Sequence, residues 1–107
     1  DRQWSRGLGD VYKRQMVGHL GDGNFHVILP YDPKEEGTYN KIRDFSDLLI
    51  EKTLELNGTI TGEHGVGLHK KAYLLKEHGD CIPLMKSIKR SIDQNNIMNP
   101  GKIFDLN

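Results

Sequence analysis

The reversal at Gly21-Asp22-Gly23-Asn24 constrains this chain more than any other short stretch. It lies between two apolar-rich runs, residues 16–20 and 25–29. Asp-Gly in that setting predicts a tight β-hairpin, because the favoured two-residue turn needs positive φ at both central positions. With Asp22 and Gly23 at the centre, Gly21 faces Asn24, Leu20 faces Phe25, and His19 faces His26. Directly opposed residues share one face of a ladder, with Cβ atoms roughly 4.5–5.5 Å apart. Pro30 and the Tyr31-Asp32-Pro33 turn close the second strand.

Beyond the hairpin the pattern turns helical. Ile42, Phe45, Leu49 and Leu56 recur near helical spacing, with Lys41, Arg43, Asp44, Asp47, Glu51 and Lys52 mostly on the other side. This predicts a helix over residues 38–56, stopped by Asn57-Gly58. Thr59-Ile60-Thr61 is β-branched and reads as a short strand running into the loop Gly62-Glu63-His64-Gly65-Val66-Gly67. A second helix is expected over residues 70–77, ending at Gly79. A third runs over residues 82–92, with Met85, Ile88 and Ile92 on one face and Lys86, Lys89 and Arg90 on the other. The segment from Asn95 to Phe104 is a turn-rich tail with an apolar end. The order predicts an α+β fold, an antiparallel sheet flanked by helices.

With 107 residues there is room for one domain at most. Fifteen basic residues balance fifteen acidic ones, which argues against nucleic acid or an anionic membrane surface as a partner. No apolar run reaches the roughly 18 residues of a membrane span. The single Cys81 has no internal disulfide partner, and no secretory signal is present, so a cytoplasmic location is the expectation. The first fifteen residues, ending Asp10-Val11-Tyr12-Lys13-Arg14-Gln15, have neither strand nor helix periodicity. That ending matches the translation of a transposase adaptor used in sequencing libraries, and the fifteen residues are expected to stand outside the fold.

His19 and His26 would be brought together by the expected hairpin register, at a separation that suits two imidazoles on one divalent ion. Two solvent-exposed neighbours across a turn fit the same spacing. Glu63 adds a carboxylate, completing a two-histidine, one-carboxylate set that leaves positions open for substrate. In an extended stretch, His64 would point away from Glu63, leaving one residue for a metal and the other for proton transfer. The glycines at 62, 65 and 67 allow close backbone approach, although they fit a flexible surface loop as well.

HLGDGNFH, then GEHGVG, then NNIMNPGKIF, in this order across residues 16–107, resemble the C-terminal domain of FAD-linked oxidases. That group holds D-lactate dehydrogenases, glycolate oxidase D-subunits and D-2-hydroxyglutarate dehydrogenases, within the vanillyl-alcohol-oxidase type of flavoproteins. The resemblance implies part of a ferredoxin-like substrate (cap) domain with C-terminal helices, and an FAD-binding domain that precedes this segment. It implies His19, His26 and Glu63 as ligands of zinc or manganese and His64 as the catalytic base. It also implies Asn99 and Lys102 in a terminal loop that approaches the FAD. The implied reaction takes a small D-2-hydroxy acid to the 2-oxo acid, with hydride passing to the flavin and on to an electron acceptor that these motifs do not specify. Ile28 departs from the D-2-hydroxyglutarate branch, which has asparagine there. An isoleucine cannot hydrogen-bond a second carboxylate, so D-lactate or glycolate is favoured.

Two other readings use the same residues. A metal-dependent hydrolase could employ His19, His26 and Glu63 with His64 as base, but it gives the NPGK tail no purpose. A catalytically silent accessory subunit could keep the fold without the chemistry. His69, His78, Cys81 and Lys70-Lys71 read as surface or packing residues, and Asp22 and Asn24 as turn formers. The glycine loop lacks the G-x-G-x-x-G spacing of a dinucleotide fingerprint.

Overall fold

A computed structural model describes residues 15–107; the adaptor-like stretch, apart from Gln15, lies outside the described residues. The chain divides into two compact units, Asp1–Lys52 and Thr53–Asn107. The class is α+β: a two-stranded antiparallel sheet, β1 (Gln15–Val17) and β2 (His26–Ile28), followed by helices α1 (Thr38–Glu55), α2 (Lys71–His78) and α3 (Ile82–Ile92).

In the first unit the hairpin forms, but not around a two-residue turn. Val17, not His19, opposes His26, so the register differs from expectation by two residues. Residues Leu20–Asp22 form a 3-10 turn that ends at Gly23 with φ +74°. The cause is local: the Asp22 and Asn24 N–H groups both donate to the His19 carbonyl, at 2.9 and 3.3 Å. The Asn24 side-chain oxygen in turn accepts from the His19 N–H at 3.2 Å. Gly18 makes the closure possible, since a Cβ there would sit 2.3 Å from the Asn24 oxygen and 2.4 Å from the Phe25 Cα.

α1 begins where the Asp32 turn ends. Asp32 accepts from the Lys34 N–H through its side chain and from the Glu35 N–H through its carbonyl. Gly37, at φ +82°, then directs the chain into the helix, where Thr38 is buried. The Tyr31 and Tyr39 rings lie 6.4 Å apart across this start. The far end is closed as the sequence predicts. Asn57 takes φ +60°, and the Gly58 N–H bonds back to the Thr53 carbonyl at 2.8 Å, a Schellman closure.

In the second unit Ile60, Leu74 and Ile82 are buried. Each contributes about 1.5–3 kcal/mol relative to an exposed side chain. Two expectations are corrected here. Thr59-Ile60-Thr61 is not a strand, because the Ile60 N–H donates to the Glu77 carboxylate of α2 instead of to a neighbouring strand. α2 ends at Gly79 as expected, although Gly79 stays right-handed (φ −51°) and a 3-10 turn, Gly79–Cys81, leads straight into α3. On α3 the expected apolar face is open, with Ile88 and Ile92 exposed, whereas Lys89 is half-buried because its ammonium bonds to Asp93. Among the described residues no helix is long and apolar enough to cross a membrane.

Candidate metal and catalytic site

The first unit carries His19 and His26. His19 is exposed and sits at the entrance of the 3-10 turn, its backbone N–H and carbonyl both committed to Asn24 and Asp22. His26 is half-buried and opens β2. The two-residue register shift preserves strand parity. It replaces the expected direct His19–His26 pairing with Val17 opposite His26. Ile28 is exposed at the end of β2.

The second unit carries Glu63 and His64. Their loop is shaped by Gly65 at φ +76° and Gly67 at φ +55°, conformations that favour glycine. The Thr61 hydroxyl donates to the Gly65 carbonyl at 3.2 Å and closes the bend. Residues 62–64 are bent, not extended, so Glu63 and His64 do not point to opposite sides. His64 Nε2 lies 3.8 Å from Glu63 Oε1, with the two side chains 69% and 42% exposed. An imidazole and a carboxylate open to solvent at this spacing can exchange a proton with a small polar substrate.

Asn99 and Lys102 lie on a turn in the tail, with the Lys102 N–H bonded to the Asn99 carbonyl at 3.3 Å. The next residue joins tail to glycine loop: the Ile103 N–H donates to the Gly67 carbonyl at 2.8 Å. Ile103 does so at φ +70°, a strained conformation for a β-branched side chain. NPGK and GEHGVG, far apart in sequence, are thereby tied together.

Three anchors that sequence reasoning missed hold this tail. Asp93 accepts from the Lys89 ammonium and from the Ile97 and Met98 N–H groups, the latter two at 2.9 Å each. The Lys89 hydrogen bond, followed by the Ile97 N–H, lowers the Asp93 carboxyl from 3.8 to about 2. Lys71 reaches Asp105 at 2.8 Å and is half-buried, not part of a solvated face as expected. Arg90 bonds the Leu106 carbonyl. The i,i+4 spacing of Lys89 and Asp93 was the only sequence signal of these contacts. His69, His78 and Cys81 are exposed, as expected.

Residues 10–103 match the family model described as FAD linked oxidases, C-terminal domain. The chain is 44% identical over 92 residues to a probable mitochondrial D-lactate dehydrogenase of Danio rerio, covering 85% of this chain and 18% of that protein. It is 47% identical over 90 residues to the mitochondrial D-lactate dehydrogenase [cytochrome] 1 of Saccharomyces cerevisiae, covering 83% and 15%. With the glycolate oxidase subunit GlcD of Bacillus subtilis it shares 44% over 90 residues, covering 81% and 19%. The chain thus spans less than a fifth of the length of these relatives. A match over nearly the whole chain, taking in the His19–His26 motif, the glycine loop and the NPGK turn, places it in the C-terminal domain family of FAD-linked oxidases.

Proposed function

We propose that this chain is the substrate- and metal-binding part of an FAD-dependent oxidoreductase that converts a D-2-hydroxy acid, D-lactate or glycolate, to its 2-oxo acid. The family match across all three motifs carries this reading, and the identity to D-lactate and glycolate enzymes supports the substrate class. An FAD-binding domain preceding this segment would hold most of the cofactor, with Asn99 and Lys102 as this chain's contribution. Bound flavin would supply the hydride acceptor.

His19, His26 and Glu63 are the proposed ligands of a zinc or manganese ion. Two imidazole nitrogens and one carboxylate oxygen suit such borderline divalent ions and leave positions free. The ion would supply Lewis acidity toward the substrate hydroxyl and fix the orientation of a small acid. His64 takes up the hydroxyl proton on its imidazole, which lies 3.8 Å from the Glu63 carboxylate. Ile28 offers no hydrogen-bond donor to a second carboxylate, which favours a short acid.

The test is anaerobic addition of D-lactate to protein that includes the preceding FAD-binding region. Bleaching of the flavin spectrum is expected. Yellow protein that stays oxidised with every D-2-hydroxy acid would favour an accessory subunit, and colourless metalloprotein a hydrolase. The isolated chain is expected neither to hold FAD tightly nor to turn over.

A further inference from the structure

Glu77 belongs to none of the motifs, yet it is the charged side chain that reaches the base of the glycine loop. It projects from α2, is only 11% exposed, and its Oε2 accepts the Ile60 N–H at 3.1 Å. Ile60 is itself buried and stands three residues before Glu63. The second oxygen, Oε1, lies 3.4 Å from His78 Nε2 on the same helix. Other bonds to the loop come from the Thr61 hydroxyl to the Gly65 carbonyl, the Lys70 N–H to the Val66 carbonyl and the Ile103 N–H to the Gly67 carbonyl. The loop glycines cannot hold a shape by themselves, since two of them sit at positive φ and offer no side chain to pack. Unlike these, the bond at Ile60 uses a nearly buried charged group, where a hydrogen bond to the backbone is strongest.

We infer that Glu77 is a positioning residue for the Glu63-His64 loop, holding it through the Ile60 N–H so that Glu63 and His64 are presented in one fixed geometry. Its consequence for metal affinity rests on the function proposed above; its consequence for the loop does not. Glutamine at 77 keeps an oxygen acceptor for Ile60, whereas alanine leaves a buried N–H without a partner.

The experiment compares Glu77→Ala and Glu77→Gln in the full chain, by amide hydrogen exchange and by zinc titration. In Glu77→Ala, exchange across residues 60–67 should rise roughly tenfold while the amides of α3 keep their protection. Zinc affinity should fall about 10- to 100-fold, as when an outer-shell support is removed. Glu77→Gln should restore both. Unchanged loop exchange in Glu77→Ala overturns the inference, and so does an equal rise in α3, which marks a general loss of stability. Failure of Glu77→Gln to rescue also overturns it. Zinc that does not bind the unaltered chain counts against the metal reading alone, and local exchange still decides the role of Glu77.

Discussion

The two histidine-bearing loops are held in opposite ways. The His19 loop is closed by its immediate neighbours: the His19 backbone bonds to Asp22 and Asn24, no more than five residues away. The Glu63-His64 loop is closed from a distance, by Glu77 seventeen residues after Ile60 and by Ile103 far along the tail. One loop carries its shape in its own sequence; the other adds to its local Thr61–Gly65 bond a hold from α2 and the C-terminal tail. Changes in the first unit should therefore act locally. Changes in the tail should reach Glu63 and His64.

Breaking the borrowed support should have the largest effect. Ile103→Pro removes the N–H that holds Gly67 and forces φ to the opposite sign, so the second unit should lose roughly 3 kcal/mol. Urea unfolding measures this, and an unchanged midpoint would show that the tail does not hold the loop. Gly18→Ala comes next. Its Cβ meets backbone atoms that cannot swing aside, which should cost about 1–3 kcal/mol and disturb the hairpin resonances only. Asn24→Ala removes an exposed side-chain bond to His19 and should cost about 1 kcal/mol or less. A larger loss would mean that the first loop also depends on remote partners.

The smallest effect is silent at neutral pH. Asp93 has its folded pKa lowered from 3.8 to about 2, so its stabilising contribution is complete above the unfolded value and is lost as pH falls toward about 2. Acid titration of the Ile97 and Met98 amide shifts should show a midpoint near 2 that disappears in Asp93→Asn.

The same contrast explains what could be read from the chain. The bounds of α1 and its Asn57-Gly58 stop follow from helical spacing and a local closure, and both were legible. The hairpin was legible as a hairpin, but not its register, because Asp-Gly chemistry says nothing of the extra bonds that Asn24 makes to His19. Ile60 was misread as strand since its β-branched neighbours set propensity, while a carboxylate seventeen residues away set its hydrogen bond. The identities of His19, His26, Glu63 and His64 stood out through motif and resemblance. The bent geometry that turns Glu63 and His64 toward each other did not, because it depends on how the glycine loop is anchored.

The division of labour between Glu63 and His64 is tested most directly by replacing each with alanine in the flavin-bearing protein. Metal content and anaerobic reduction by D-lactate are then measured on the same samples. Glu63→Ala should lose both metal and reduction, whereas His64→Ala should keep its metal and lose reduction. Metal lost with reduction unchanged, in either variant, would contradict the assignment of one residue to the cation and the other to the proton.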